Sequence, residues 1–175
     1  MKRHLCSYLV PLFVLLTACT PSEKPLEPAP QLKAVTLDNT VKIIAGQTVY
    51  VPIYSHIYTS EQSRTINLTA TLSVRNTDLI HPIIVASVDY YDSSGKPVRK
   101  YLEQPVELKP LASTSFVVNQ EDTKGGSGAA FVVEWVTQKQ VSVPVIESVM
   151  INTSTNQGIS FVSPGRVIKS RTNSK

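Results

Sequence analysis

Ile66-Asn67-Leu68-Thr69-Ala70-Thr71-Leu72-Ser73-Val74-Arg75-Asn76 alternates with a period of two. Ile66, Leu68, Ala70, Leu72 and Val74 fall on one side of an extended chain, and Asn67, Thr69, Thr71, Ser73 and Arg75 on the other. On a helix the same apolar residues would be spread around the whole circumference. The stretch therefore predicts a half-buried strand of an antiparallel sheet, apolar toward a core and polar toward water.

On either side of it, similar segments predict strands at 48–58, 83–92, 113–118, 129–137, 145–152 and 159–162, with shorter ones at 41–44 and 98–102. Asp92-Ser93-Ser94-Gly95-Lys96 has the polar residues and glycine of a tight hairpin turn, and Thr155-Asn156-Gln157-Gly158 reads as another. No segment carries an apolar stripe of helical period. Eight or nine short strands separated by turn signals predict an all-β fold, an immunoglobulin-like antiparallel β-sandwich, with a small β-barrel as the alternative. The single Trp135 lies in an apolar strand and is a candidate core residue. Antibody-type domains pair two cysteines across the sandwich; that pair is missing here, so the likeness is one of architecture.

The N-terminus has a different character. Lys2, Arg3 and His4 precede an apolar run from Leu5 to Leu16. At 12 residues this run falls short of the ~20 apolar residues a spanning helix needs, and its zoning is that of an export signal. Leu16-Thr17-Ala18-Cys19 resembles the lipobox of bacterial lipoproteins, in which small residues admit the peptidase and the cysteine thiol takes up a diacylglyceryl group. Several acyl chains, such as palmitate, are needed for firm anchoring. The expected organisation is a lipoprotein signal peptide over 1–18, a lipidated Cys19 with a Pro-rich flexible linker over 19–40, a β-sandwich domain over 41–166, and a basic flexible tail over 167–175. Cys6 leaves with the signal, so Cys19 is the one cysteine of the processed chain and no disulfide is expected. About 140 residues remain for one domain with a sizeable core.

The charge balance is modest. Loss of Lys2 and Arg3 lowers the net charge from +4 to +2, and the cations are scattered outside the C-terminal tail. Nucleic-acid binding is not expected. The processed chain has two histidines, His56 and His81, and one methionine, Met150, too few nitrogen and sulfur ligands for a predicted transition-metal site. There is no Gly-x-Ser-x-Gly elbow. Asp89 and Asp92 read as a strand end entering a turn rather than as a catalytic carboxylate pair. Gly125-Gly126-Ser127-Gly128 feeds a strand rather than a helix and reads as a tight connection, not a phosphate cradle. Catalytic residues, cofactors and metals are therefore expected to be none.

One surface stands out. Along 48–58, Val49, Val51, Ile53 and Ile57 share one face, while Tyr50, Tyr54, His56 and Tyr58 share the other. Pro52 lacks a ladder donor and marks an edge or a bulge. The aromatic row is a candidate binding surface for a peptide, a sugar or a partner sheet.

Several strings in order carry a further resemblance: Tyr50-Val51-Pro52-Ile53-Tyr54-Ser55-His56-Ile57-Tyr58, Leu72 to Asp78, Val88 to Asp92, Gly125 to Gly128, Val133-Glu134-Trp135 and Gln157 to Phe161. Together, over roughly residues 47–166, they resemble an uncharacterised bacterial lipoprotein family, domain of unknown function 3124. The resemblance implies an exported, membrane-tethered domain and brings no activity, ligand or catalytic residue. The expected function is that of a non-enzymatic envelope module held to a membrane through lipid on Cys19, with an envelope protein as partner. The outer membrane is favoured in a two-membrane cell, because Thr20 rather than Asp follows the cysteine. The alternatives are a small-ligand or carbohydrate-binding lipoprotein and, behind it, an unrecognised hydrolase.

Overall fold

The computed structural model describes residues 32–38, 40–154 and 157–172. The expected signal peptide, Cys19 and most of the linker lie outside the described residues, as do 173–175. The described residues form thirteen strands: β1 (Lys33–Ala34), β2 (Ala45–Ile53), β3 (His56–Tyr58), β4 (Thr65–Asn67), β5 (Thr69–Arg75), β6 (Ile83–Tyr91), β7 (Pro97–Lys100), β8 (Val106–Leu108), β9 (Ser113–Val118), β10 (Ala129–Thr137), β11 (Val145–Asn152), β12 (Ile159–Pro164) and β13 (Arg166–Thr172). A short 3₁₀ turn, Gly126–Gly128, is the one helical element described. One sheet has the order β1-β8-β6-β10-β2-β13, with β7 also paired to β6; a second has the order β12-β11-β5-β9; β3 and β4 form a small ribbon. All pairings are antiparallel and no sheet closes on itself, so the fold is a β-sandwich rather than a barrel.

The alternation around residue 70 is realised. Leu68, Ala70, Leu72 and Val74 are fully buried, while Thr69, Thr71 and Ser73 are half-buried and Arg75 is exposed. The expected single strand is broken at Leu68, whose N–H donates to Ser55 O at 2.8 Å instead of joining a ladder. Opposite β5, the larger sheet presents Phe131, Val133 and Trp135 from β10 and Val49, Val51 and Ile53 from β2. Trp135 is a core residue. β6 shows how a strand keeps facing the core when its pattern changes phase. Ile83 and Val85 point inward, then Val88 and Tyr90 do, and the one-residue shift coincides with a register slip opposite Glu134 and Trp135. Burying each such side chain contributes about 1.5–3 kcal/mol, and no disulfide is needed to hold the layers together.

Both chain ends of the domain differ from the sequence expectation. Residues 167–172, expected as a flexible tail, are strand: β13 pairs with β2 from Arg166 opposite Tyr50 to Thr172 opposite Ala45. Its residues from Arg166 to Arg171 are all exposed, so no apolar alternation marked it. An edge strand carrying Arg166, Lys169 and Arg171, with a register irregularity at Ile168, resists pairing with further chains. Residues 32–34, expected as linker, belong to the domain: Leu32 packs on the core and Lys33–Ala34 pair with β8. Residues 41–44, expected as a strand, precede β2 as irregular chain.

Candidate functional site

The pairings Ala45↔Thr137, Ile84↔Val136, Ile83↔Leu108 and Arg75↔Val145 bring the start of β2, the end of β10, the start of β6, the end of β8, the end of β5 and the start of β11 to one end of the sandwich. Loops 76–82, 109–112 and 138–144 meet there. Asn76, almost fully buried, is the post to which they are tied. Its Nδ2 donates to His81 O (2.9 Å), Leu108 O (3.2 Å) and Lys109 O (3.0 Å), and its Oδ1 accepts from Asp78 N (3.0 Å). Asp78 extends the knot. Its Oδ1 accepts from Ile80 N (2.9 Å) and His81 N (2.7 Å), and its Oδ2 from Ser142 N (3.0 Å). These backbone donors, led by His81 and followed by Ile80 and Ser142, hold the Asp78 pKa down to about 2. The His81 imidazole lies 3.6 Å from the same carboxylate. Thr77 Oγ1 donates to Val143 O at 2.9 Å, closing the contact between the first and third loops.

Beside this knot lies a pocket of about 400 Å³. Gln47 and Trp135, cross-strand neighbours on β2 and β10, line it from the core side, with Ile44, Val141 and Val143 as apolar wall and Arg171 of β13 at its margin. Trp135 Nε1 and Gln47 Oε1 are buried and have no hydrogen-bond partner among the described residues. One donor and one acceptor set in a wall of mixed polarity, with Gln140, Ser170 and Arg171 beside the apolar side chains, can orient a small ligand.

The residues singled out in the sequence lie elsewhere and are not brought together as one row. β2 stops at Ile53, and Ser55 turns the chain, its N–H donating to Gly126 O at 3.0 Å and its Oγ lying 3.3 Å from Tyr90 Oη. Tyr50 remains on the outer face of the larger sheet, lining an open depression of about 320 Å³ with Tyr91, Ser93 and Val132. Tyr54 is half-buried, edge-on to Phe161 at 5.7 Å. His56 and Tyr58 lie on β3, their rings edge-to-face at 5.6 Å, and Tyr58 is exposed. Pro52 lies past the last β2 residue paired with β13, so β2 is an edge on that side at this point.

The other expected features are placed as follows. Asp92 Oδ1 accepts from Ser94 N (2.8 Å), Ser94 Oγ (2.7 Å) and Lys96 N (2.9 Å), building the hairpin between β6 and β7. The Ser94 hydroxyl first, and then the Lys96 amide, lower its pKa. In the glycine loop, Gly126 has φ +76°, and a Cβ on Gly125 would collide with Tyr90 Oη, so the loop is a tight connection. His81 precedes β6 and Asp92 follows it, about 30 Å apart along a nine-residue strand. Met150 is fully buried in the core. Among the described residues no three His, Cys, Asp or Glu side chains cluster as a metal site, and no helix is long and apolar enough to cross a membrane.

The knot lies inside a span that matches a family model, and so do Gln47, Trp135, Gln140, Val141 and Val143 of the pocket, while Ile44 and Arg171 at its margin fall just outside. The model described as "Protein of unknown function (DUF3124)" matches residues 46–168. The chain belongs to that family. The DUF3124 match opens at Gly46 of β2 and closes at Ile168 of β13, two strands that pair with each other, so it encloses the sandwich and excludes β1. No curated protein matches the chain. Among solved structures it is similar to the crystal structure of Thermotoga maritima 1070, at 12% identity and a TM-score of 0.42, over 69% of this chain and 92% of that one.

Sequence reasoning passed over Asn76, Asp78, Gln47 and the pocket. Asn76-Thr77-Asp78 ends the most readable strand, and two Asx residues at a strand end signal a built turn. That their partners lie on two distant loops is not local information.

Proposed function

We propose that this DUF3124 protein is a lipid-anchored, non-catalytic binding module of the bacterial cell envelope. The observation that carries the reading is Cys19, which closes a basic and then apolar segment, follows two small residues and is the one cysteine of the chain past the expected cut. The all-β domain begins at Leu32, with only twelve residues between it and Cys19, and its loops are built around turn-forming carboxylates rather than around grouped nucleophiles and bases. The domain then works outside the cytoplasm, on the outer membrane in a two-membrane cell, through contact with another envelope component.

Cys19→Ser tests the anchor. The protein should leave the membrane fraction or stay unprocessed, and the wild-type N-terminal fragment should carry the mass of added acyl chains. Normal processing and membrane retention of the Cys19→Ser protein would overturn the reading.

The pocket supports a second reading, in which the module holds a small neutral ligand between Trp135 Nε1 and Gln47 Oε1. Trp135 is the sole tryptophan, so its emission reports directly on occupancy. A saccharide or metabolite screen should give a compound that shifts that emission and raises the melting temperature, with both effects lost in Gln47→Leu. A screen that moves neither quantity counts against this reading and leaves protein contact as the module's role.

A further inference from the structure

Four large apolar side chains project from the three loops tied together by Asn76 and Asp78. Leu79 is 76% exposed, Ile80 74%, Leu111 66% and Val143 59%. The loops that carry them are hydrogen-bonded to one another, Leu111 N donating to Asp78 O (3.2 Å) and Thr77 Oγ1 to Val143 O (2.9 Å), so the four belong to one tip rather than being scattered singly. Leu111 is also held there at a conformational cost. It has φ +56°, among the described residues the one non-glycine with positive φ, in the turn Lys109-Pro110-Leu111-Ala112 closed by Ala112 N donating to Lys109 O at 3.1 Å. That position of such a turn favours glycine or asparagine. A leucine there puts an apolar side chain into solvent from a backbone that disfavours it.

Charge follows the same direction. Lys109 and Lys139 are exposed on these loops, and the loops' single carboxylate, Asp78, is covered by its three backbone donors. At the opposite end, the loops carry the four carboxylates Glu61, Asp92, Glu121 and Asp122 against the three cations Arg64, Lys96 and Lys124, a balance of the other sign. The described chain also begins at the apolar end: Lys33 pairs with Glu107 and β1 runs antiparallel to β8, so Leu32 stands level with Leu108, where β8 meets the knot. Between Cys19 and Leu32 there are twelve residues, which reach at most about 45 Å when fully extended.

We infer that this tip, with Leu79, Ile80, Leu111 and Val143 at its surface and Lys109 and Lys139 around them, docks into the headgroup region of the anionic bilayer that holds the Cys19 lipid. The inference rests on the anchored reading of Cys19. Apolar side chains enter the boundary of the acyl region while the lysines stay with lipid phosphates, the division an interfacial protein surface requires. The lipid supplies residence at the membrane, and the tip fixes which end of the sandwich faces it.

The test uses the lipidated full chain in vesicles of equimolar phosphatidylcholine and phosphatidylglycerol. A polarity-sensitive dye is placed on Leu79→Cys in one sample and on Lys124→Cys, at the opposite end, in another; lipid blocks the Cys19 thiol. The dye at position 79 should shift to the blue and lose its quenching by iodide, and the dye at 124 should do neither. Vesicles of phosphatidylcholine alone should give a smaller shift at 79. Leu111→Gly should reduce the shift at 79 without lowering the melting temperature, because glycine relieves the turn. A water-like dye at 79 on protein whose mass shows acylated Cys19 overturns the docking and leaves the anchor standing. An unmodified Cys19 overturns the anchor, and docking then stands only if the dye at 79 still shifts on anionic vesicles. A shift at 79 that needs no vesicles and grows with protein concentration assigns the tip to a second copy of the chain and overturns the inference.

Discussion

Asn76 uses both ends of its carboxamide, and nothing nearby can replace it. Replacing it with alanine removes the donor for His81 O, Leu108 O and Lys109 O and the acceptor for Asp78 N. Asn76→Ala should lower stability by about 3 kcal/mol, read as a fall in the urea midpoint, because buried polar groups left unpaired cost more than the net worth of the bonds. Asn76→Asp should be at least as damaging, since a carboxylate would face three carbonyl oxygens. A loss under about 1 kcal/mol in both would show that the loops hold without this post. Asp78 makes a prediction in pH. Its pKa is lowered from 3.8 to about 2, so its contribution to stability is present above pH 3.8 and is lost as the pH falls toward 2. Melting temperature plotted against pH should therefore fall less steeply between about pH 4 and pH 2 in Asp78→Asn than in the wild type. Parallel curves would remove the carboxylate from the acid response. As amino-acid types, Asn76 and Asp78 announce a turn and no more. Their importance lies in partners some thirty and sixty residues away, which no local pattern encodes.

At the scale of elements, legibility followed burial. β5 and β11 bury alternate residues and are legible from period two, β10 is legible as an apolar run, and the hairpin at Asp92 from its polar residues and glycine. β13 exposes every residue from Arg166 to Arg171, so its sequence reads as tail, and the two residues of β1 are too short to register. The row of Tyr50, Tyr54, His56 and Tyr58 failed for another reason. Period two was extended past Ile53, where Ser55 leaves the sheet to bond Gly126. The passage from β12 to β13 gives the element-scale prediction. Gly165 carries the chain from one sheet to the other, and its N–H donates to Ile146 O at 2.8 Å. A Cβ there would lie 2.6 Å from both Ile146 O and Val49 Cγ1. Gly165→Ala should cost about 1–3 kcal/mol, whereas Gly158→Ala, whose Cβ would meet nothing nearer than Asn152 O at 3.7 Å, should stay within about 0.5 kcal/mol of the wild type. Equal melting temperatures for the two variants would show that the crossing relaxes freely.

As a whole, the molecule is a sandwich with two unlike ends. One is apolar and basic around the Asn76–Asp78 knot. The other is polar and carries the carboxylates of the Asp92 hairpin and the 119–124 loop. The sandwich itself was legible from alternation; the difference between its ends was not, because it depends on which loops the topology gathers. The same topology predicts slow assembly. β2 pairs with β10 and β13, and β1 with β8, so the larger sheet consists mostly of distant pairings. Refolding from urea should take on the order of milliseconds to seconds rather than microseconds. A microsecond main phase would mean that local hairpins carry the barrier.

The pairing of β2 with β13 also sets an order of events. A chain that emerges N-terminus first, from a ribosome or through an export channel, presents residues 45–53 with neither of their neighbours. The first neighbour, β10, arrives about eighty residues later, and the second only with the final strand. Before β10 arrives, β2 has no register to lock into, and until β13 arrives one of its edges stays open. The sandwich closes late, when the last of the thirteen described strands is out. For the export proposed above, this arrangement is a built-in delay.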